Sequence, residues 1–359
     1  MIKLLIAGSP CTNWSIAKNG RETEPIGAGW ELFKNYLIAK EKFRPDFFLY
    51  ENNKSAAKAI KKQIAKELGV GKDPHTRFTY INSALVSAQN RERFYVTNFG
   101  DIEQPEDRGI LLKDIVFDDV DPVVLHNLYG GFKEKAVRVF ENKSPTIRTS
   151  AGGGHIPSFV KKGLLHSEKA IEYMNRKIRD GRTHWDFGHH SDIENPKSSA
   201  VVANFFKGVP YNVFKDWGCI RKFHPIECER LQTLPDNYTS GISDTQRYKC
   251  IGNGWTAEII IHLLYHALKD VPRDTEIAVL SLYDGIGTGR YCLDKMGFTN
   301  VKYHAYEIDK YAIQVANNNY PDIIQYGDAF QVREKGWKAP YTPKTNLFDW
   351  LDDLLEGGT

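Results

Sequence analysis

The feature that most constrains the fold of this chain is an apolar segment that runs into a glycine-rich turn close to the C-terminal end. Residues 276–283 read EIAVLSLY and residues 284–289 read DGIGTG. A strand, a glycine-rich turn and a helix are typical of the first unit of a nucleotide-binding α/β sheet. Glycine lets the backbone approach a ligand there, and the helix N-terminus favours polar or anionic groups. The turn alone does not identify a ligand, since ordinary tight turns look similar.

The first hundred residues alternate between strand-like and helix-like segments. The predicted strands are IKLLIA, DFFLYE, FTYINSALVS and RERFYVTNF, and the predicted helices between them are WELFKNYLIAKEKF and SAAKAIKKQIAKEL. This alternation indicates a doubly wound α/β sheet. The regularity is lost between about 101 and 217 and returns with HPIECERLQTL, NGWTAEIIIHLLYHALK and the strand before the turn. We therefore expect one α/β domain formed by residues 1–100 and 218–359, with a smaller domain inserted at 101–217.

The composition restricts the class of protein. With 359 residues, 41% of them hydrophobic, the chain can bury a full core. Its 48 basic and 45 acidic residues nearly balance, so any nucleic-acid contact must come from a local basic face. Five scattered cysteines without a C-x-x-C pair suggest neither a disulfide framework nor a zinc site. The N-terminal apolar run is too short for a signal peptide or a membrane span.

Two acidic residues end the strands that follow the glycine-rich turn. Glu307 closes VKYHAYE and Asp328 closes YPDIIQYGD. An acid after the second strand of such a sheet can accept hydrogen bonds from ribose hydroxyls, and one after the third can accept from an adenine amino group. Together with the turn, they favour a cofactor that carries a nucleoside.

A cysteine and a glutamate end the first two strands of the chain. Cys11 follows Pro10 where the chain turns toward a helix, and amide groups there can stabilise a thiolate. The alternative is a small buried hydrophobic residue, as most free cysteines are. Glu51 ends an apolar strand, where partial desolvation favours a carboxyl that shares a proton, or it is a helix N-terminal carboxylate. A thiol nucleophile beside a proton-donating acid suits addition to an electrophilic ring.

Basic side chains occur in two further places. Gln89, Arg91 and Arg93 alternate along a predicted strand and should share one face, either as a solvated edge or as contacts to a substrate phosphate or carbonyl. The segment 101–217 contains a glycine-rich AGGGH loop and a basic group that is either a solvated face or a phosphate-binding surface. This group consists of Lys161, Lys162, Arg176, Lys177, Arg179 and Arg182.

Taken together, these residues resemble the DNA (cytosine-5) methyltransferase family. The resemblance rests on Ser9-Pro10-Cys11 with Ser15 as the nucleophile loop, Glu51-Asn52 as the Glu-Asn-Val motif, Gln89-x-Arg91-x-Arg93, the segment IRKFHPIECERLQTLPDNYT, Gly252-Asn253-Gly254-Trp255-Thr256, and LSLYDGIGTG with Tyr283 at the aromatic position. It covers residues 1–100 and 218–330, with a local match at KSPTIRTSAGGGH. GSPCTNWSIA and VLSLYDGIGTG are most similar to the de novo type and to phage-encoded members.

The resemblance implies a Rossmann-like methyltransferase sheet with its motifs in a different order. Family members normally place the cofactor motif first and the Pro-Cys loop in the middle, whereas this chain starts at the Pro-Cys strand. A circular permutation cut before the fourth sheet strand explains this order. It also predicts that residues 331–359 lead back across the sheet toward residue 1. A second departure is Asn53, followed by Lys54, where the family has valine, which leaves the details of the pocket and the cofactor preference open.

The resemblance also implies the reaction and the residues that carry it. S-adenosylmethionine would methylate C5 of a flipped cytosine in double-stranded DNA through a covalent bond between Cys11 and C6, with Glu51 at N3 and Arg93 at the carbonyl. The expected catalytic residues are Cys11, Glu51, Arg91 and Arg93. The expected substrate-binding residues are Ser9, Pro10, Ser15, Asn52 and Gln89. The expected cofactor-binding residues are Tyr283, Asp284, Gly285, Gly287, Glu307, Ile308, Asp328, Asn253 and Trp255. We expect no metal and no membrane contact, and a monomer in the cytoplasm of a bacterium or of a phage-infected cell.

Three alternatives remain open at this point. An RNA (cytosine-5) methyltransferase would share these motifs, although a variable region of over a hundred residues favours DNA. A non-catalytic DNA-binding homologue would be expected to lack the Pro-Cys or Glu-Asn motif, and both are present. A nicotinamide-dependent dehydrogenase gives no role to Cys11. The role in restriction protection, phage genome masking or regulation is left open, as is whether the acidic end LFDWLDDLLEGGT packs on the surface or binds a partner.

Overall fold

The computed structural model describes most of the chain and divides it into two compact units. The described residues are 1–15, 18–118, 120–126, 138–146, 158–161, 190–191, 213–214 and 218–341. The first unit comprises Met1–Ile81, Glu92–Gln104 and Ile260–Thr359, and the second comprises Asn82–Arg91 and Pro105–Ile259. These units differ from the expected division at 101 and 217, because residues 218–259 and 82–91 cluster with the second unit. The assignment of residues 101–217 to target recognition stays a prediction.

The strands and helices follow the sequence pattern closely in the first unit. In chain order the strands are β1 (Ile2–Gly8), β2 (Phe47–Asn53), β3 (Arg77–Asn82), β4 (Glu92–Thr97), β5 (Val120–His126), β6 (Arg138–Phe140), β7 (Ser158–Lys161), β8 (His190–Ser191), β9 (Val213–Phe214), β10 (Gly218–Lys222), β11 (Ile277–Leu282), β12 (Val301–Tyr306) and β13 (Ile324–Gln325). The α-helices are α1 (Ala28–Phe43), α2 (Lys58–Leu68), α3 (Pro225–Leu231), α4 (Asp244–Asn253), α5 (Ala257–Leu268), α6 (Thr288–Lys295) and α7 (Lys310–Asn319).

A seven-stranded sheet forms the centre of the first unit, in the order β13-β12-β11-β1-β2-β4-β3. β1 pairs in parallel with β11 on one side and β2 on the other, and β12 and β13 continue the parallel arrangement. β4 is antiparallel to β2. The chain order therefore reverses between β11 and β1, which is where doubly wound sheets bind ligands at the carboxyl ends of their strands. The predicted α/β, Rossmann-like fold class is confirmed.

The core lies on both faces of this sheet. Leu4, Leu5, Ile6 and Ala7 of β1 are fully buried, as is every residue of β11, so these apolar runs behave as central parallel strands do. Helix α1 covers one face with an aromatic cluster in which Phe33 and Tyr36 lie within about 5 Å of the Tyr50 ring. Burial of each large side chain contributes roughly 1.5–3 kcal/mol.

Two predicted elements differ from the structure for local reasons. The segment FTYINSALVS does not continue as one strand, because the Asn82 side chain accepts a hydrogen bond from the Ala84 amide at 3.0 Å and starts a short 3₁₀ turn, Ser83–Leu85. Helix α4 was not expected from the sequence, since DTQRYKCIGN is mostly polar and lacks a wide apolar stripe.

The second unit contains a six-stranded sheet in the order β6-β5-β7-β10-β9-β8 and an α-helical part. A buried ion pair organises the helical part. Glu229 of α3 accepts hydrogen bonds from the Asn237 and Thr239 amides at 2.7 and 2.8 Å and pairs with Arg247 of α4 at 3.0 Å. These bonds satisfy a carboxylate that is buried from solvent.

The described chain ends near the amino-terminal edge of the central strands. The Tyr341 ring contacts His304 of β12. Burial raises the pKa of Tyr341, and the negative charge of Glu276 adds to this effect. The carbonyl of Glu276 in turn accepts the Ile2 amide at 2.8 Å. Residues 331–341 thus run toward the start of the chain, and residues 342–359, including the acidic end, lie outside the described residues. So do the AGGGH loop and the predicted basic residues other than Lys161, of which only the backbone is described.

No helix in the described part of the chain is long and apolar enough to cross a membrane.

A close approach between α6 and the sheet depends on Gly289. A Cβ at this position would overlap the Tyr303 hydroxyl of β12 and the Ile6 Cδ1 of β1, which lie in the packed core. The third glycine of a nucleotide-binding turn serves this kind of close helix–strand packing.

We expect Gly289→Ala to lower the free energy of unfolding by about 1–3 kcal/mol, because the extra methyl group overpacks a filled site. Urea denaturation measures this. Gly336→Ala is the matched control, since a Cβ there meets nothing within 4 Å, and it should stay within about 0.5 kcal/mol of the parent. Equal effects of the two variants would contradict the packing role.

Candidate active site

Cys11 lies at the carboxyl end of β1, in a loop that leaves the sheet edge. It begins a short 3₁₀ turn, Cys11–Asn13, and its carbonyl accepts the amides of Trp14 and Ser15 at 3.0 and 2.9 Å. Cys11 is partly exposed and the preceding Pro10 is exposed. The thiol of Cys11 therefore belongs to a surface loop rather than to the apolar core, unlike the buried Cys228, Cys250 and Cys292.

A buried hydrogen-bond cluster holds the residue before the Pro-Cys pair. Asn52 Nδ2 donates to the Ser9 carbonyl at 2.9 Å and to its hydroxyl at 3.1 Å. The Ser9 hydroxyl also bonds the Tyr50 hydroxyl at 2.6 Å, and burial raises the pKa of Tyr50 well above its usual value. Ser9 and Asn52, predicted to bind substrate, are both buried and use these polar groups to fix the loop that carries Cys11.

A second set of contacts holds the other side of the loop. The fully buried Trp14 donates from Nε1 to Glu22 at 3.0 Å, and the same carboxylate accepts the Gly29 amide of α1 at 3.2 Å. Arg21 donates to the Ser55 carbonyl, just after β2, at 2.6 Å. Trp14, Arg21 and Glu22 were not identified from the sequence. The available signal was a tryptophan in an otherwise polar loop.

Glu51 is placed beside the Cys11 loop by strand register. It pairs with Gly8, the last residue of β1. Arg93 of β4 lies opposite Asn53, on the same face as Glu51, and its Nε is 3.1 Å from Glu51 Oε1. Both side chains are only 10% exposed. The register thus brings the predicted acid and one predicted arginine together in a site with little water, where their attraction is stronger than on an open surface.

Gln89, Arg91 and Arg93 do not lie on one strand, and the expectation that they do is wrong. β4 begins at Glu92, so only Arg93 lies on it, and Gln89 and Arg91 belong to the second unit. Arg91 donates to the Gly254 carbonyl at 2.8 Å, which supports the Gly-Asn-Gly turn from inside. Gln89 is fully buried, and its side-chain amide has no hydrogen-bond partner among the described residues.

The Gly-Asn-Gly-Trp-Thr segment of the second unit is held by side chains around it. Thr256 donates to Gln232 at 2.9 Å and bonds Ser83 at 2.8 Å. Asn253 is exposed at the end of α4, and Trp255 is buried. Their predicted contact with a cofactor stays a prediction.

The glycine-rich turn follows β11 and lies next to two acidic strand ends. Glu307 accepts the Gly285 amide at 2.9 Å, and its other oxygen accepts the amides of Ile308 and Asp309 at 2.9 and 2.8 Å. Asp328 is exposed after β13 and accepts the Phe330 amide at 2.9 Å. The two strands that carry these acids are neighbours in the sheet.

The surroundings of this turn fit a nucleoside-bearing ligand. Gly285 has a φ of +66°, which favours glycine, and a Cβ there would meet nothing within 4 Å, so the space beside it is open. Ile308, next to Glu307, is 74% exposed and offers an apolar surface. An open turn, an exposed apolar side chain and carboxylate oxygens match the needs of a ring system and sugar hydroxyls. Gly287, with a φ of +76°, precedes α6.

Asp284 is the buried acid of the turn. Its Oδ1 accepts hydrogen bonds from the Ser281 and Tyr303 hydroxyls, both at 2.7 Å. Burial raises the pKa of Asp284 to about 6, and the nearby Glu307 charge adds to the effect. Asp284 therefore secures the turn from within the protein.

Among the described residues, no group of three or more His, Cys, Asp or Glu side chains is arranged to hold a metal ion.

The raised pKa of Asp284 predicts a pH dependence of stability. Its ordinary value is 3.8 and its folded value about 6, so between these pH values the folded state binds more protons than the unfolded state. The Asp284 carboxyl therefore contributes its full stabilisation of the folded state below about pH 4, and this contribution is lost as the pH rises through 6. Relative to Asp284→Asn, the wild type should lose on the order of 3 kcal/mol of unfolding free energy between pH 4 and pH 7. Denaturant titrations at several pH values measure this difference, and a pH-independent difference would contradict it.

Comparisons with known proteins identify a matching family and several relatives. A family model described as C-5 cytosine-specific DNA methylase matches residues 1–268. The type II methyltransferase M.SsoII of Shigella sonnei is 27% identical over 268 residues, which cover 72% of this chain and 62% of that protein. M1.ScrFI, a type II methyltransferase of Lactococcus lactis subsp. cremoris, is 27% identical over 75% of this chain and 62% of its own length. The orphan methyltransferase M.SPBetaI of Bacillus phage SPbeta is 30% identical over 37% of this chain and 30% of its own.

The chain thus spans less than two thirds of the length of these relatives. Among solved structures, a DNMT2 mutant of Spodoptera frugiperda aligns with a TM-score of 0.41 and 18% identity, over 73% of this chain and 78% of that one. This likeness is too distant to carry an argument. The family model, however, covers 268 of the 359 residues, and the chain belongs to the C-5 cytosine-specific DNA methylase family.

Proposed function

We propose that this chain is a DNA (cytosine-5) methyltransferase that uses S-adenosylmethionine and acts on double-stranded DNA. The observation that supports this most directly is the edge of the sheet where the Cys11 loop and the Glu51–Arg93 pair leave neighbouring strands. Family membership and relatives named as type II methyltransferases support the same reaction.

In the proposed mechanism, Cys11 acts as the nucleophile. Its thiolate forms a bond to C6 of the target cytosine, and the electron pair of the C5–C6 double bond moves toward C5 while Glu51 shares a proton with N3. C5 thereby becomes nucleophilic enough to accept a methyl group. S-adenosylmethionine, when bound, supplies that methyl group on a sulfonium centre. Loss of the C5 proton then restores the double bond and expels the Cys11 thiolate.

The protein prepares these groups before substrate arrives. Asn52 and Tyr50 fix Ser9 on one side of the Cys11 loop, and Trp14 with Glu22 fixes the other side. A loop that is already ordered loses less entropy when the flipped base binds, which lowers the barrier. Taking a cytosine out of the duplex costs a few kcal/mol of stacking, which contacts between the protein and the DNA must offset.

Arg93 has a double role in this proposal. Its Nε forms an ion pair with Glu51 at 3.1 Å, and its Nη1 donates to the Glu92 carbonyl at 2.9 Å. A further donor would reach the cytosine carbonyl, so Arg93 both holds Glu51 and reads the base edge. Arg91 supports the Gly-Asn-Gly turn instead, and we assign it no contact with the reacting atoms.

The cofactor site in this proposal surrounds the turn after β11. Glu307 and Asp328 would accept hydrogen bonds from the ribose and the adenine, and Tyr283 and Ile308 would contact the ring. Gly285 and Gly287 let the backbone approach the ligand, and Asp284 secures the turn.

We also infer that the chain is a circular permutation of the usual family order. Counted from β11, the strands β11, β12, β13, β1, β2, β3 and β4 become 1 to 7, and the sheet order reads 3-2-1-4-5-7-6. Its first five positions follow the doubly wound order 3-2-1-4-5. The family model ends at residue 268, before β11, although β11 is the neighbour of β1.

Trapping with 5-fluorocytosine DNA tests the nucleophile. Fluorine at C5 blocks the final proton loss, so wild-type protein, DNA and methyl group should remain joined in a denaturant-resistant complex. Cys11→Ser should abolish the complex, because a hydroxyl ionises far less than a thiol of pKa ~8.5. Glu51→Gln should still bind DNA but react about a hundredfold or more slowly.

The matched control is Cys292→Ser, which removes a buried thiol elsewhere in the first unit and should still trap. Fluorocytosine tRNA in a parallel reaction distinguishes an RNA substrate. Trapping by Cys11→Ser at the wild-type rate would overturn the proposed nucleophile.

Calorimetry with S-adenosylhomocysteine tests the cofactor site. Glu307→Ala should weaken binding by about 10- to 100-fold, the range expected when a charged hydrogen-bond acceptor is lost. Asp270→Ala, which removes an exposed carboxylate after α5, should bind like the wild type. Unchanged affinity in Glu307→Ala would contradict this placement.

A further inference from the structure

The backbone of Tyr283 adopts an unusual conformation at the start of the glycine-rich turn. Its φ is +60°, in the left-handed region that non-glycine residues enter only at an energetic cost. The Tyr283 hydroxyl donates to the Leu32 carbonyl of α1 at 2.8 Å and accepts from Asn35 Nδ2 at 3.1 Å. The hydroxyl is therefore bonded to α1 and sets the position of the ring at the start of the glycine-rich turn.

Asn35 connects this hydroxyl to a different part of the sheet edge. It is fully buried within α1, and its Oδ1 accepts from Nε of Arg333. Arg333 also donates to the side chain of Glu31 at 2.8 Å and to its carbonyl at 2.7 Å. The nitrogen and the oxygen of the buried Asn35 amide thus both have hydrogen-bond partners, as a polar group in a core requires.

Arg333 belongs to the segment that leaves β13. Asp328 caps the short 3₁₀ turn Ala329–Arg333 by accepting the Phe330 amide, and the Val332 carbonyl accepts from Lys42 of α1 at 3.0 Å. Helix α1 consequently holds two separate strand ends, the one after β11 that carries Tyr283 and the one after β13 that carries Asp328. The Asn35 side chain bonds to Tyr283 in the first of these segments and to Arg333 in the second.

We propose that Asn35 is a positioning residue for the cofactor, acting through the Tyr283 hydroxyl to hold the Tyr283 ring in register with the Asp328 segment. This inference rests on the proposed function, because it takes S-adenosylmethionine or its product as the ligand between these two strand ends. A phenylalanine could offer the same ring face, but it could not receive the Asn35 bond. In this proposal the Tyr283 hydroxyl positions the ring relative to the Asp328 segment and does not itself contact the ligand.

The test uses the full chain with S-adenosylhomocysteine as the probe. Tyr283→Phe keeps the ring and removes both hydroxyl bonds, and Asn35→Leu keeps the side-chain size and removes the connection. Each should weaken binding by about 5- to 30-fold, as expected for loss of buried hydrogen bonds. For Asn35→Leu, the rate of methyl transfer at saturating cofactor and DNA should stay within about twofold of the wild type, because Cys11 and Glu51 are untouched. Tyr265→Phe, which alters an exposed tyrosine of α5, is the matched control and should bind normally.

The double variant distinguishes alignment from general stabilisation. If Asn35 acts through the Tyr283 hydroxyl, the combined variant should bind about as weakly as either single variant, since contacting residues are not additive. Additive losses, or a lower melting temperature with unchanged affinity, would overturn the inference. Should Asn35→Leu fail to fold, the affinity of Tyr283→Phe alone decides it. If the wild type itself does not bind the probe, the cofactor assignment fails, whereas normal binding by Tyr283→Phe refutes only the role of Asn35.

Discussion

The parallel pairing of β1 between β11 and β2 is the interaction on which the rest of the first unit depends. Since all three strands run in the same direction, their carboxyl ends lie at one edge of the sheet. The loops that follow these ends are therefore close together. Gly8 lies beside Glu51, and Ala7 lies beside Leu282, the last residue before Tyr283. Cys11 and the glycine-rich turn are more than 270 residues apart in the sequence. Backbone hydrogen bonds between neighbouring strands bring them to the same edge of the sheet.

Buried polar groups then convert this proximity into a defined geometry. Apolar packing is non-directional and can bring loops to the same edge without fixing their orientation. Hydrogen bonds are directional, and buried ones are costly to leave unmade, so the buried Asn52 and Asn35 and the partly buried Glu22 each restrict a loop to one arrangement. All three are polar side chains with partners inside the protein. The Glu51–Arg93 pair follows the same rule, because a buried charge without its partner would be strongly destabilising.

Sequence patterns predicted the helices and strands whose signal lies within a short segment. They failed to predict elements that depend on contacts between distant residues. β1, β2 and β11 were predictable because a buried parallel strand reads as a continuous apolar run. Helix α4 was not, because Cys250 and Ile251 are buried through tertiary packing and the segment around them is polar. Alternation placed Arg91 and Arg93 on one strand, but β4 begins at Glu92 and excludes Arg91, since pattern alone sets strand boundaries poorly. Trp14 and Glu22 carried no recognisable motif, since their importance lies in a bond to each other and to Gly29.

The sequence by itself determined the class of fold and the family resemblance, and it predicted which groups react. Strand periodicity and the chemistry of a cysteine, an acid and a glycine-rich turn are properties of short segments, and short segments can be read directly. Only the tertiary structure decided which of these groups meet. In the folded chain Arg93 pairs with Glu51, and Arg91 donates to the Gly254 carbonyl. Asn52 donates to the Ser9 carbonyl, and the Tyr283 hydroxyl donates to the Leu32 carbonyl. The physical reason is that a hydrogen bond between distant residues depends on register, burial and angle, and these quantities exist only once the strands have paired.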